Sequence, residues 1–118
     1  MRSADPLNAT CFDCNNSDAS WASLIHGVFI CTSCVSLHRG LGKFAANQTK
    51  HTELDKWTIH QLQLMWLGGN TKFLEYLTTY SLEKEDFEKK YKSRAAAFYR
   101  RKLASLISED PQLIAEVH

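Results

Sequence analysis

Four cysteines carry the clearest chemistry in this sequence. They form two CxxC pairs, Cys11 with Cys14 and Cys31 with Cys34, and residues 15–30 separate the pairs. Clustered cysteines in a reducing compartment favour metal binding over disulfides. Four thiolates suit a closed tetrahedral site in which Zn–S is about 2.3 Å and no position remains for a catalytic water. The spacing therefore predicts one structural zinc ion, with iron as the minor alternative.

Two histidines, His26 and His38, lie near the second cysteine pair in the sequence. Their imidazoles are possible metal ligands in principle. Because four thiolates already complete a tetrahedral sphere, we expect both rings to lie outside it. The remaining histidines, His51, His60 and His118, show no spacing typical of a metal site.

The cysteine spacing alone is compatible with DNA binding, because GATA-type fingers use nearly the same spacing. A DNA-binding finger needs lysine or arginine around it to neutralise phosphates. Residues 11–34 contain neither, and Asp13 and Asp18 add negative charge. We therefore expect the finger to repel a phosphate backbone, and we predict no nucleic-acid partner.

The elements that position these cysteines can be read from the intervening residues. The stretch WASLIHGVFI, residues 21–30, is rich in β-branched and aromatic residues, which favours two short strands meeting near Gly27. From Thr32 or Ser33 onward the pattern predicts a short helix that ends at a glycine, Gly40 or Gly42. Arg39 is then expected near the end of this helix.

The middle of the chain predicts a loop followed by a helix. Residues 43–54 are polar and predict a loop with one short edge strand. Asp55 is a suitable N-cap for a helix over residues 56–67, which the glycines at 68 and 69 would end. One stripe of that helix carries apolar side chains at helical spacing, namely Ile59, Leu62 and Trp66.

The last third predicts two further helices. Asn70 is expected to cap the first of these helices, which covers residues 71–80. Residues 81–92 mix charges of both signs so closely that a solvated helix face or a loop is expected there. Ser93 begins the last helix, whose apolar side chains at helical spacing are Ala96, Tyr99, Leu103 and Leu106, with Arg94, Arg101 and Lys102 outside. The predicted organisation is one domain over residues 1–118: a zinc finger at 11–34, a helical part at 55–107, and a fraying tail at 108–118.

Composition narrows the class of protein. The 118 residues include 44% hydrophobic ones, enough for one small core, and a net charge of +1 gives no global reason for a nucleic-acid or membrane partner. No apolar stretch approaches the roughly 18 residues of a membrane span, and the N-terminus lacks the apolar region of a signal peptide. We expect a cytosolic or nuclear location.

Longer sequence strings give a specific resemblance. The chain resembles the catalytic domain of the Arf GTPase-activating proteins in the order of five short strings: CFDC, WAS, GVFIC, the single Cys34, and HRGLG. In this order Arg39 lies five positions after Cys34. Further matches are LDKW at 54–57, GGN at 68–70 and YKSRAAAFYRRKL at 91–103, so the resemblance covers residues 6–107. The Ser-Arg-Ala-Ala and Tyr-Arg strings are similar to the subgroup that works with the coatomer coat at the Golgi.

This resemblance implies a fold, a partner and a role for Arg39. The implied fold is α+β: a four-cysteine zinc-finger module with a short three-stranded sheet surrounded by helices. The family has a further helix before the position of Cys11, and we expect this chain to contain only part of it. The implied partner is an Arf-family GTPase in its GTP form, which supplies the nucleotide, the Mg²⁺ and the attacking water. The chain would then be an activator with no reaction of its own, and Arg39 would be its arginine finger.

The resemblance also implies further partners and a location. Coatomer is a possible partner, and peripheral membrane recruitment would use regions outside this chain, in vesicle traffic at the cytoplasmic side of the Golgi. The side chains expected at the interface with the GTPase are Trp21, His38 and Lys50, although a large aromatic such as Trp21 beside a metal is a core candidate first.

One segment departs from the family pattern. After Gly42 the family has an apolar strand, whereas residues 43–52 here read KFAANQTKHT, and Lys50 stands where the family has arginine. Lysine keeps the charge but lacks the planar fork of arginine. This departure leaves open a catalytically silent adaptor that binds Arf or coat proteins, beside the GTPase activator and the DNA-binding finger.

Overall fold

The computed structural model describes residues 5–108 of the chain. Its strands are β1 (Trp21–Ser23), β2 (Val28–Ile30) and β3 (Thr49–His51). Its helices are α1 (Thr32–Arg39), α2 (Ile59–Leu67), α3 (Asn70–Thr79), α4 (Phe87–Tyr91) and α5 (Arg94–Ser108), preceded by a 3-10 helix (Pro6–Ala9). The strands form one antiparallel sheet in the order β2-β1-β3, which confirms the predicted small α+β fold. Within the described range, no helix is long and apolar enough to cross a membrane.

The turn between β1 and β2 holds the sheet against the helices. Gly27 has a φ of +65°, and a Cβ built on it would lie 3.1 Å from the Cα of Gly68. A Cβ on Gly68 would in turn lie 3.0 Å from the Cα of Gly27, and the Gly69 amide donates to the Gly27 carbonyl at 2.7 Å. The predicted hairpin near Gly27 is confirmed, and its turn lies directly against the junction of α2 and α3.

The start of α2 differs from its prediction. The helix begins at Ile59, where Thr58 and Gln61 form a capping box: the Gln61 amide donates to Thr58 Oγ1 and the Thr58 amide donates to Gln61 Oε1. Asp55 is not the cap, because its carboxylate accepts the His51 amide at 2.7 Å instead. The prediction gave the wrong residue because Asp55 and Thr58 are both suitable caps, and only Thr58 has Gln three positions later.

The start of α3 also corrects a prediction. Gly69 is the N-cap, and Asn70 is the first helical residue with a side chain that is buried rather than capping. Asn70 Oδ1 accepts the Phe29 amide at 2.7 Å, and Asn70 Nδ2 donates to the carbonyls of Leu7 and Thr10. Asn70 therefore ties the sheet to the N-terminal segment, a long-range role that local capping rules could not reveal.

The charged run before α5 contains a core residue. Residues 81–92 were predicted to be solvated, yet Tyr91 at the end of α4 is fully buried, so the prediction is wrong at this position. In α5, the predicted apolar stripe is buried at Ala96, Tyr99 and Leu103, while Leu106 is 39% exposed. Ser93 accepts the Ala96 amide at 3.0 Å, as expected for the residue that begins this helix. The predicted tail at 108–118 lies outside the described residues apart from Ser108.

Candidate metal centre and the surface around Arg39

The two cysteine pairs meet at one point in the fold. Cys11 and Cys14 lie in a turn after the 3-10 helix, whereas Cys31 is the N-cap of α1 and Cys34 lies in its first turn. The four Sγ atoms all lie within 4.8 Å of one another, and Cys14 Sγ is 3.6 Å from Cys31 Sγ. A tetrahedral ion with Zn–S near 2.3 Å requires sulfur separations of roughly 3.8 Å. The donor set therefore fits a metal ion.

The thiols of the cluster differ in pKa: at Cys31 the effect of burial is outweighed by hydrogen bonds, which lower the pKa. Burial raises the pKa of the Cys11 and Cys34 thiols, because a buried thiolate is poorly solvated. Metal binding requires the thiolate, and a divalent cation compensates for the lost solvation. Among the described residues, the cysteines are the one group of three or more potential ligands close enough to hold an ion, and it contains no histidine.

Asp13, between the first two cysteines, joins the cluster to the helices. Its Oδ2 accepts from His38 Nε2 at 2.6 Å, and its Oδ1 accepts from the Tyr91 hydroxyl at 2.6 Å. The side chains of Asp13 and His38 are 8% and 1% exposed. His38 therefore fixes α1 to the first cysteine turn, and the prediction that this side chain faces a partner is wrong.

His26 is the second buried imidazole. It lies in the hairpin turn, and burial lowers the pKa of His26 well below its usual value, so the ring is neutral. Arg100 Nη1 lies 3.1 Å from His26 Nε2, which acts as acceptor, and His26 Nδ1 donates to Ser23 Oγ at 3.0 Å. Arg100 also donates to the Tyr91 carbonyl at 3.0 Å. These bonds connect the hairpin to α4 and α5 and engage both ring nitrogens of His26, which lies outside the four-cysteine set as expected.

Arg39 lies at the exposed end of α1 with its side chain held in place. Its Nε donates to Thr49 Oγ1 of β3 at 2.9 Å, and its Cζ lies 5.1 Å from the ring centroid of Trp21. Within residues 5–108 it forms no ion pair with an acidic side chain. The bond from Nε and the ring contact orient the guanidinium without a neutralising carboxylate, so its positive charge remains available to another molecule.

Trp21 and Lys50, the other two residues predicted at the partner interface, lie on opposite faces of the sheet. Trp21 pairs with His51 across β1 and β3, and its ring contacts His51 edge-on at 5.2 Å between centroids, so it is part of the packing beside Arg39. Lys50 pairs with Ala22, and successive strand residues point to opposite faces, which places Lys50 opposite Thr49 and Arg39. Lys50 Nζ donates to the Lys56 carbonyl. Thr49, which orients Arg39, gave no recognisable signal in the sequence.

Comparisons with known proteins agree with this architecture. Residues 1–108 match the family model described as "Putative GTPase activating protein for Arf". Similar curated proteins include ADP-ribosylation factor GTPase-activating protein 3 of Macaca fascicularis, 41% identical over 105 residues, which are 88% of this chain. The mouse protein of the same name is 39% identical over 105 residues. The chain spans 20% of the length of these relatives.

A solved structure shows the same fold. It is described as that of a "putative GTPase activating protein for ADP ribosylation factor" from Cryptosporidium parvum. The TM-score is 0.64 at 31% sequence identity, over 97% of this chain and 83% of the other. The similarity thus extends over nearly all of the chain and is not confined to the cysteine cluster.

Proposed function

Because the chain belongs to the family of GTPase-activating proteins for Arf, we propose that it stimulates GTP hydrolysis by an Arf-type GTPase with Arg39 as its arginine finger. The observation that carries this proposal is the exposed guanidinium of Arg39, oriented by Thr49 and Trp21 and without a carboxylate partner in the described residues. Family membership also sets aside the GATA-type alternative, and no nucleic-acid partner is proposed.

The mechanism follows from where α1 begins and ends. The cysteine cluster fixes the start of the helix, the bond from His38 to Asp13 fixes its last turn, and Arg39 is the last helical residue. A guanidinium inserted in trans stabilises charge on the transferring phosphoryl group and raises the rate by about 10³ to 10⁵-fold. The nucleotide, the Mg²⁺ and the water belong to the GTPase, so this chain has no reaction of its own.

We further propose that Cys11, Cys14, Cys31 and Cys34 hold one Zn²⁺ ion. A closed set of four thiolates leaves no position for substrate or water, so its role is structural. When bound, the ion supplies folding free energy to the segment that carries Arg39. The chain's own contribution is the buried frame of Asp13, His38 and Tyr91, which fixes the first cysteine turn to α1 and α4.

The wider setting is also a proposal. The SRAA string at the start of α5, from Ser93 onward, and the YR string within α5 support coatomer as a partner, with vesicle traffic at the cytoplasmic face of the Golgi as the setting. Peripheral recruitment to the membrane would use regions outside this chain. Trp21 and Lys50 remain candidates for the GTPase interface, although they lie on opposite faces of the sheet.

The test is single-turnover hydrolysis by GTP-loaded Arf-type GTPases, measured with and without the domain. Stimulation of at least one GTPase is expected. The polar segment 43–52 favours a second candidate, a silent adaptor that binds the GTP form without accelerating hydrolysis. Binding to GTP-loaded Arf without any change in hydrolysis rate, across a panel of isoforms, would favour that adaptor and reject the activator.

A further inference from the structure

Two adjoining hollows on the surface of α3 and α5 have no role in the proposed reaction. They share three aromatic side chains, Tyr76, Tyr80 and Phe98, and together form what we call the aromatic cleft. The first hollow has a volume of about 420 Å³ and continues over apolar side chains of α2 and α5, Leu67, Leu103 and Leu106. The second, of about 450 Å³, extends along the start of α5.

The aromatic walls are exposed, and packing and a hydrogen bond hold the two tyrosines in place. Tyr80 and Phe98 are 54% and 51% exposed, a large apolar area for one small region. Tyr76 donates its hydroxyl hydrogen to the Ala95 carbonyl at 2.7 Å, which joins α3 to α5 across the cleft. The ring of Tyr76 packs at 5.0 Å from that of Tyr80 and at 4.9 Å from that of Tyr99. A ligand would therefore meet a largely preformed cleft.

The rim of the cleft is positively charged. Four basic residues line the two hollows, and no acidic residue does: Lys72, Arg94, Arg101 and Lys102. In the part of the chain that the structure describes, none of these four forms an ion pair. Glu75 of α3 lines a neighbouring cavity with Asp5, and Lys72 borders both that cavity and the cleft, so the cations furthest from these acidic side chains are those of α5. Unpaired cations around apolar walls complement a ligand that combines negative charge with apolar side chains.

We propose that the aromatic cleft binds an acidic peptide segment of a partner protein, with one or two apolar or aromatic side chains inserted between Tyr80 and Phe98. A concave site suits side-chain insertion, whereas membrane binding favours apolar side chains that protrude into the lipid. The cleft shares no residue with the surface around Arg39, since Arg39 contacts β1 and β3. A peptide in the cleft would therefore leave Arg39 accessible.

The test begins with the whole chain and a displayed library of random short peptides. Selection is expected to enrich sequences with several Asp or Glu around an aromatic or aliphatic residue. Synthetic peptides from the selection are then titrated against wild type, Phe98→Ala and Arg101→Glu. We expect each substitution to weaken binding by about tenfold, because one removes an anchor wall and the other reverses a rim charge. Stimulation of GTP hydrolysis should stay unchanged in both variants.

Matched controls separate the cleft from general effects. Trp66→Ala removes an exposed aromatic side chain on α2, and Lys84→Glu reverses a charge outside the cleft, so both should bind the peptides like wild type. Failure to enrich acidic sequences, or equal binding by Phe98→Ala and wild type, would overturn the proposal. If no peptide binds, but the wild-type chain binds phosphatidylserine vesicles and Phe98→Ala does not, the cleft would be assigned to membranes. A tenfold gain on removal of residues 109–118 would identify the chain's own segment as the occupant.

Discussion

The two sides of Arg39 are built differently. On the α1 side, buried contacts hold the backbone: the thiols of Cys31 and Cys34 lie in the cluster, and His38 is bonded to Asp13. On the sheet side, a hydrogen bond to Thr49 of β3 and a contact with the ring of Trp21 of β1 orient the guanidinium at the surface. The position of this residue therefore depends on the folded core, whereas the direction of its side chain depends on surface contacts. Changes on the first side should cost folding, and changes on the second should cost activity alone.

The largest effect is expected from Cys31→Ser. Structural zinc contributes on the order of 10 kcal/mol to small zinc domains, so loss of one thiolate should leave the domain unfolded. Elemental analysis should give one zinc per chain for wild type and almost none for the variant, with circular dichroism reporting the loss of fold. Ser33→Ala, on the exposed side of α1, is the matched control and should behave like wild type. A folded, zinc-free wild-type chain would contradict the metal proposal.

Arg39→Lys is expected to remove activity and leave the fold intact. Lysine keeps the charge but cannot present the planar fork to several phosphate oxygens. Loss of about 10³ to 10⁵ in rate corresponds to about 4 to 7 kcal/mol of transition-state stabilisation. Single-turnover hydrolysis measures this loss, while zinc content and binding to GTP-loaded Arf should change little. The control is Lys43→Arg, which alters an exposed cation four positions later in the sequence and should keep wild-type activity. High activity of Arg39→Lys would exclude an arginine finger at this position.

Asp13→Asn tests the buried side of the comparison. The amide keeps the size of the carboxylate but is neutral and offers one acceptor oxygen, so the negative acceptor is lost and either His38 or Tyr91 faces an NH₂ donor. Urea denaturation should show a loss of about 1.5 to 3 kcal/mol in the free energy of unfolding. Glu53→Gln, at an exposed position, should leave the unfolding curve in place. Equal stability of the Asp13→Asn variant and wild type would show that this network contributes little.

Thr49→Val should have the smallest effect and only on activity. Valine has nearly the same shape, but it lacks the Oγ1 that accepts from Arg39 Nε at 2.9 Å. Loss of one such bond corresponds to about 0.5 to 1.5 kcal/mol, or roughly two- to tenfold in rate. Thr52→Val is the control on the same segment. A stability loss as large as that of Asp13→Asn would show that the sheet side is also part of the folding core.

Local patterns predicted much of this fold. The cysteine spacing, the hairpin around Gly27 and the helix ending at Arg39 all depend on nearby residues, and the structure confirms them. The assignments that failed depend on contacts distant in sequence. Asn70 bonds to Phe29 across the fold, and Tyr91, inside a run of charges, is buried against Asp13. No local rule distinguishes these residues from an ordinary cap or a solvated tyrosine.

The candidate site shows the same limit. Arg39 was found from its spacing to Cys34 and from a family resemblance, and its catalytic role stays a prediction. Thr49 was missed because a single threonine in a polar segment resembles any loop residue, and only pairing of β3 with β1 brings it to Arg39. His38 was placed at the interface on the family resemblance, as part of the HRGLG string that contains Arg39. Successive helical residues point in different directions, and the side chain of His38 is directed into the core.

The close approach of Gly27 to Gly68 has a mechanical consequence. With only about 3 Å between a Cβ at either position and the opposite backbone, the hairpin and the junction of α2 and α3 have no space to slide past each other. The amide of Gly69 adds a short bond across the same contact. The sheet that orients Arg39 and the helices that form the aromatic cleft should thus move as one rigid body. Binding to a partner would therefore cost little conformational entropy in this domain. Most of the structural adjustment on docking would occur in the GTPase.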